Sequence, residues 1–585
     1  MDRVMGKSAA SIRKIGKWHP RLIVKALIFV CFTIFAVSAG QVVNANTFNV
    51  NSTNDAVDAN PGNGVCETFP GSGLCTIRAA IEESNALVGD DIVNLQAGVY
   101  DIRGLFGGFI ITDNLIINGA GAKETLFIGG EPIFDGDGVF IDDGHDGTIF
   151  NVECCPIVEI NGVTINGGGS NPASGRGGGI LNNGNLEIND CLITHNGGSF
   201  PTNSVVKGGG IFNNNDLVVN NCTFSHNYVI GGEELEGNDS GPPEKGQGGA
   251  IYNSGIYVMI NNSVFYGNKA RLNAGQGGAI YNIGSDIVIS NSTFFDNTAT
   301  ELGGTIYNKR GRFVTDGEVE IKNSTISGKG DFEKFEVNGI FNNGSLRVGN
   351  TIIEGIEGAD CTGSISSSGN NIFDVSTSVG CDISLTRPNG FDAKNIIVDP
   401  GLGAFVDSTI PGRAHFPLLP SSPAIDAGNN ALCPVTDQLG NFRPVDGKGD
   451  NIAICDIGAI EFFTVGNVND YLSERPVTNS SSFDPTPVAN GPAGKFSFEA
   501  DFCNISTDTL INLKSETIEL TNDNVLLNRD AGPPLGVGSV RTFPLDNELS
   551  DSLLEPGECA TIRYEIGLTT TDQFRFLVDV FGDVK

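Results

Sequence analysis

Four sets of side chains in this sequence have types and spacings that could do chemistry. The first is Asp142, Asp143, His145 and Asp146, in the stretch IDDGHDG. Carboxylates this dense can ligate calcium or act as an acid/base pair. A glycine-rich solvated loop is the plainer reading and is preferred. The second set is Cys191 and His195, which recur as Cys222 and His226. Two thiols and two imidazoles suit zinc. On an extended strand, however, residues four apart lie roughly 13 Å from each other. One shared ion is therefore disfavoured, and a buried thiol pair or a Cys191–Cys222 disulfide is expected. The third set, Asp437, Arg443, Asp456 and Glu461, predicts an ion-pair network closing the C-terminal end, with calcium as the alternative. The fourth is aromatic: Phe212, Tyr252, Tyr281, Tyr307 and Phe341 each follow an isoleucine in a recurring motif, as Leu181 does in the first copy.

That motif shows which elements position these residues. GGGILNN at 177, GGGIFNN at 208, GGAIYNS at 248, GGAIYNI at 277, GGTIYNK at 303 and NGIFNNG at 338 align, with their isoleucines 26 to 40 residues apart. Apolar pairs follow with a period of two: Leu186/Ile188, Leu217/Val219, Val258/Ile260, Ile287/Ile289, Val319/Ile321 and Leu346/Val348. A polar turn residue comes next, namely Asp190, Asn221, Asn262, Asn291, Asn323 or Asn350. A third apolar position, from Ile193 to Ile353, closes each unit. Period two means strands. Three short strands per unit make one coil of a right-handed parallel β-helix, the pectate-lyase-like solenoid. No coil buries its apolar face alone, so like residues must stack along the axis, and turn asparagines can pass amide hydrogen bonds between coils. The extra residues fall in one turn, after the third strand; the longest insertion runs from about Tyr228 to Gln247.

Within this frame the aromatic after each core isoleucine should face outward. The stripe of Phe212, Tyr252, Tyr281, Tyr307 and Phe341 is then either self-stacked under neighbouring loops or a platform for sugar rings or a partner's apolar surface. A lyase or hydrolase of this fold needs carboxylates, or calcium with a basic residue, clustered on one outer face. The outward positions of the second strand are Glu187, Val218, Met259, Val288, Glu320 and Arg347. Those of the third are Leu192, Thr223, Val264, Thr293, Thr325 and Ile352. Neither series is an acid cluster.

The ends and the composition bound the rest. Seven basic residues up to Lys25 precede an apolar run, Ala26 to Ala39, and small residues follow. This predicts an export signal within 1–45, cleaved after Ala39 or Ala45; an uncleaved signal anchor is the alternative and would be the protein's one membrane contact. The chain carries a formal charge of −34, which argues against a nucleic-acid partner. Of its 13 cysteines, local pairs predict disulfides Cys66–Cys75, Cys361–Cys381, Cys433–Cys455 and Cys503–Cys559. Cys154 and Cys155 are adjacent and stay unassigned.

Residues 46–100 should form an N-terminal cap, with a short helix N-capped by Thr76. The stretch Cys75-Thr76-Ile77-Arg78-Ala79-Ala80, with Cys66 and the AIEESNA run, resembles the CSLREA domain of exported bacterial β-helix proteins; Ala79 replaces its glutamate. Residues 370–464 resemble the choice-of-anchor Q region in NNIFD, VDPGLGAF, LLPSSPAIDAGN, DQLGNFRP and CDIGAIE. The repeats, over 101–369, are more loosely similar to polymorphic outer-membrane-protein repeats. These resemblances imply a secreted or surface β-helix, and none implies a reaction. A linker over 465–492 and a β-sandwich over 493–585 complete the chain. The expectation is a monomeric surface scaffold for adhesion to an extracellular glycan or surface protein, without a cofactor unless calcium binds. A polysaccharide lyase or glycoside hydrolase is the alternative.

Overall fold

A computed structural model describes residues 45–584, apart from loop segments of which the longest are 232–244, 329–338, 355–360, 375–380, 385–394, 531–538 and 544–552. The expected signal, 1–44, lies outside the described residues, as does 143–146. Among the described residues no helix is long and apolar enough to cross a membrane.

The repeats wind into a right-handed parallel β-helix. In a central coil the three strands are Ile251–Asn253, Tyr257–Asn261 and Val264–Tyr266. Each pairs in parallel with its equivalent in the next coil. Ile251 meets Ile280, Val258 meets Ile287 and Phe265 meets Phe294. Like therefore sits on like. Phe224, Phe265 and Phe294 stack in the core at 4.6 and 4.9 Å between centroids, the spacing of neighbouring strands. Three walls result, one for each strand of the coil.

The turn between second and third strands uses the polar residue expected there. Asp190, Asn221, Asn262, Asn291, Asn323 and Asn350 all have φ between 45° and 54°, a left-handed conformation that Asn and Asp tolerate better than other side chains. As expected, turn asparagines pass amide bonds between coils, Asn262 to Asn221, Asn291 to Asn262 and Asn350 to Asn323 at 3.0–3.2 Å; a second set, at the end of the first strand, carries a longer buried ladder. Asn182, Asn213, Asn253, Asn282 and Asn308 each donate from Nδ2 to the next Oδ1 at 2.7–3.0 Å, the last to Asn342.

Four coils add a fourth strand that the repeat pattern did not predict. Gly197–Ser199, Tyr228–Ile230, Lys269–Arg271 and Thr298–Ala299 form a small parallel sheet. Val206, Val229, Ala270 and Ala299 pack as a separate small core beside it. The long turn thus begins with ordered structure, which the period-two test misses because the strands are only two or three residues long.

At the N-terminal end, helix α1 (Ile77–Ala86) stands where a first-wall strand would be. Thr76 caps it, its Oγ1 accepting from Ala79 N at 3.1 Å. Ile77, Ala80 and Ile81 join the main core. Asn85 meets the exposed edge of the strand Phe109–Ile111 by donating to Ile110 O and accepting from Thr112 N. Arg78 donates to the Gly107 and Gly108 carbonyls and pairs with Asp55 at 2.6 Å. The helix therefore covers a strand edge that would otherwise offer unpaired backbone groups.

After the last coils, the chain does not simply close the C-terminal end. Residues 398–462 run back along the third wall as a strap. Its backbone passes the turn asparagines in order: Asn370 donates to Ala427 O, Asn350 to Asn429 O, Asn323 to Leu432 O and Asn291 to Thr436 O. Phe405 and Phe416 pack on Phe295 at 4.6 and 5.2 Å. The strap buries the outward series Thr223, Val264, Thr293, Thr325 and Ile352.

A β-sandwich of two five-stranded antiparallel sheets follows. It starts earlier than expected. The segment 465–492, read as a linker, supplies the strands Gly466–Asn467, Leu472–Pro476 and Ser482–Asp484. Leu472–Pro476 pairs along Lys495–Asn504. The Pro, Ser and Asn content that suggested a linker is tolerated because all three strands lie at sheet edges, Pro476 on the edge strand Leu472–Pro476.

Candidate functional site

On the first wall the aromatic column forms as a stack. Phe212, Tyr252, Tyr281, Tyr307 and Phe341 lie parallel at 4.7–5.2 Å between centroids. They do point away from the main core, in a cluster of their own. Of the two readings the self-stacked, covered one holds and the platform is corrected: Tyr281 is 1 % exposed, and Phe212, Tyr252 and Tyr307 are buried as well. The cause is the glycine pair. Gly177, Gly208, Gly248, Gly277 and Gly303 have φ between 61° and 74° and fold the incoming chain back over the rings. Arg176, Lys207, Gln247, Gln276 and Leu302 bridge one another as a covering ladder. The Arg176 guanidinium lies 4.9 Å from the Phe212 centroid and the Lys207 ammonium 5.1 Å from that of Tyr252. Burial, with neighbouring tyrosines and a nearby glutamate, pushes the Tyr281 hydroxyl well above its ordinary pKa, opposed by a hydrogen bond with Gln247. These rings offer no platform to a ligand.

At the turns flanking the third wall, Cys191 and Cys222 are buried free thiols, not a disulfide. Each occupies a ladder position that later coils fill with Ser263, Ser292 and Ser324. Cys191 Sγ donates to Asn189 O and Cys222 Sγ to Asn220 O, both at 3.1 Å. Ser263, Ser292 and Ser324 make the same bond to their own residue two back. From Cys222 onward each sulfur or hydroxyl also accepts from the preceding coil, as Cys191 N donates to Cys222 Sγ and Cys222 N to Ser263 Oγ. The thiols thus serve as hydroxyl substitutes in the turn ladder. His195 and His226 stack at 5.0 Å on the following turn, both with positive φ. Burial, with His195 and Lys269, pushes the His226 imidazole down to about 4, partly offset by Asp407. Among the described residues, no three His, Cys, Asp or Glu side chains gather as a metal site.

The four C-terminal residues do meet, within the strap instead of across the end. Arg443 Nε lies 3.1 Å from Glu461 Oε2, with both side chains fully buried. That contact is a charge pair without hydrogen-bond geometry; Arg443 Nη2 donates to Gly458 O. Asp437 accepts from Leu439, Asn441 and Glu461 backbone amides. Asp456 accepts from Asp426 N and Phe462 N, and Glu461 from Val445 N and Asp456 N. Burial first, and mutual repulsion for Asp456, raise Asp456 to about 8 and Glu461 to about 7. Carboxyls lifted towards neutrality often mark general acids. These two are sealed and hold backbone amides, so their role is to fasten the strap.

Of the expected disulfides, Cys66–Cys75, Cys433–Cys455 and Cys503–Cys559 are formed. The side chains of Cys361 and Cys381 lie outside the described residues, although their strands pair. Asp142 ends the strand Phe140–Asp142. Its side chain, with Asp143, His145 and Asp146, also lies outside the described residues.

The second wall is the one left open along the repeats. Its outward residues Glu159, Glu187, Val218, Met259, Val288, Glu320 and Arg347 are half-buried in every coil. Beside them runs an amide ladder on the surface: Asn118, Asn161, Asn189, Asn220 and Asn261 each donate to the equivalent of the preceding coil at 2.9–3.1 Å. Glu159 and Glu187 accept from these amides. At the other end Lys322 pairs with Glu320 and Arg347 with Glu318. The wall is a flat, striped surface: acidic at one end, apolar at Val218–Met259–Val288, and mixed in charge at the other.

Comparison with known proteins bears on the coils. Residues 221–254, 262–283 and 291–309 match the Chlamydia polymorphic membrane protein repeat. Each stretch begins on a turn asparagine and runs to the next first strand, taking in the glycine pair. No curated protein matches the chain. Two solved structures align weakly. Pectin methylesterase PemA from Erwinia chrysanthemi has 11 % identity over 61 % of this chain and 94 % of its own, with a TM-score of 0.22. The enzymatically active domain of tailspike protein 4 of bacteriophage CBA120 has 12 % identity over 86 % and 65 %, with a TM-score of 0.16. Superpositions this loose carry no argument about function. The coils are thus similar to polymorphic membrane protein repeats, wound as a right-handed parallel β-helix.

Proposed function

We propose that this chain is an exported surface scaffold that binds an extracellular glycan or a surface protein through its second wall, without transforming it. One observation carries the reading: along the repeats from the coil of Phe212 onward, the first and third walls are covered by the chain's own segments, and the second is left open and laddered. A flat repeating surface suits an extended, repeating ligand, because each coil presents equivalent groups about 4.8 Å further on. The similarity to a membrane-protein repeat, the export signal expected at 1–45, and the CSLREA and choice-of-anchor Q resemblances support a surface location.

The test is a glycan array probed with the intact chain and with Val218→Lys/Met259→Lys/Val288→Lys. Binding by the parent and loss in the folded variant is the expected result; equal binding by both would sink the assignment to this wall. Incubation with pectin and alginate should release neither unsaturated nor reducing ends. Turnover abolished by changing Asp142, Asp143 and Asp146 would replace the scaffold reading with an enzymatic one.

A further inference from the structure

Cys154 and Cys155 occupy a turn that differs from its counterparts in later coils. Val152 lies in register with Asn182. In the later coil Asn182 Oδ1 accepts from Gly184 N and so caps the turn between first and second walls. A valine cannot do this. Here the turn instead reads Glu153-Cys154-Cys155-Pro156, tied down at both sides: Glu153 N donates to Ile111 O, and Asn185 N to Pro156 O. Cys155 has φ 93°, a left-handed conformation unusual for a residue with a side chain. The two sulfurs are 2.6 Å apart and both residues are exposed. Both are free thiols in the structure, yet this separation is far inside ordinary sulfur–sulfur contact and near the roughly 2.05 Å of a disulfide bond. The same chain forms three other disulfides, as proteins do in an oxidising compartment.

We propose that Cys154 and Cys155 close into a vicinal disulfide that clamps this turn in place of the missing asparagine cap, and that it is the exchangeable redox site of the chain. The oxidant is a second disulfide, that of an oxidoreductase or of a small thiol. One cysteine thiolate attacks it and releases the first thiol. The neighbouring thiolate then attacks the mixed disulfide and releases the second. One S–S bond forms and one breaks, and the two electrons and two protons end on the released thiols. Adjacent residues have Cα atoms only about 3.8 Å apart, closer than the usual range for a disulfide, so the ring is strained and easily reduced. Cys455, Cys75 and Cys503 are buried in their own bridges, whereas this pair is open to a reductant.

The experiment uses the full chain, reduced and then incubated with oxidised glutathione, and the chain recovered from an oxidising export compartment. After alkylation without reductant, the peptide holding both cysteines should be unlabelled and lighter than the dithiol form by two hydrogens. A brief, mild reduction should then label Cys154 and Cys155 before any other bridge. Amide exchange at 153–156 should be slower in the oxidised chain than in the reduced chain, and slower than in Cys154→Ser/Cys155→Ser. Immediate alkylation of both thiols, or their linkage to another cysteine or another chain, would overturn the disulfide. Equal exchange in the two redox states would overturn the clamp.

Discussion

Gly412 donates its backbone N–H to the Thr223 hydroxyl at 2.9 Å, although 189 residues separate them in the chain. This bond fixes the far tip of the strap, several coils away from the place where the strap leaves the helix. Gln438 locks the same point: Thr293 Oγ1 donates to its Oε1, and its Nε2 donates to the Gly412 and Ala414 carbonyls.

The tip should therefore be sensitive to one methyl group. Gly412 has φ 75°, and a Cβ there would lie 2.5 Å from Asn262 O. Gly412→Ala should destabilise docking by about 2 kcal/mol or more. Limited proteolysis should then cut within 403–416 in the variant under conditions that spare the parent. Unchanged resistance would show that the tip is not held by this contact.

Strap docking should weaken as pH rises. Asp456 at about 8 and Glu461 at about 7 lie far above their unfolded values of roughly 3.9 and 4.3. Between these limits the folded state binds more protons than the unfolded chain. Their contribution is therefore complete below about pH 4 and is lost as pH climbs through 7 to 8. Melting temperatures measured from pH 5 to 8.5 should fall, and Asp456→Asn should flatten the slope. A parent that gains stability over that range would contradict the assignment.

The aromatic column should behave as core. Tyr281→Ser removes a buried ring from the middle of the stack and should cost about 3 kcal/mol in urea unfolding. Tyr281→Phe keeps the stacking, loses the Gln247 bond, and should cost about 1 kcal/mol. Equal, negligible losses in both would mean that the rings contribute little to the fold.

Cys222 should accept serine. The next coil already places Ser263 in the same role, so Cys222→Ser should stay within about 1 kcal/mol of the parent, while Cys222→Ala, which leaves Cys191 N without its acceptor, should cost about 2 kcal/mol. Chemical denaturation with and without zinc gives the comparison. A zinc-dependent gain in the parent that Cys222→Ser abolishes would restore the metal reading.

Period-two pairs, the recurring glycine–isoleucine motif and the polar turn positions were enough to read the coil, its three strands and its register from local pattern. The turn asparagines could be read as ladder members because stacking copies a residue onto its equivalent; the serines that share the thiol position could not, since a single hydroxyl leaves no such mark. The covered state of the aromatics was harder to see. The outward direction of Tyr252 follows from alternation along its strand, but its burial depends on Arg176, Lys207 and Gln247 arriving from neighbouring turns. The grouping of Asp437, Arg443, Asp456 and Glu461 could be guessed from their charges, whereas their position could not.

The sequence by itself determined the β-helix, its helical N-terminal cap and the final sandwich, because each follows from short-range periodicity and capping that act within one coil or one element. Only the tertiary structure decided which walls are open. The strap returns over the third wall through bonds such as Asn291 to Thr436 and Thr223 to Gly412, 145 and 189 residues apart. Contacts at that separation leave no period in the chain. They exist because the stacked turns present a row of amide donors that a single extended segment can satisfy in order.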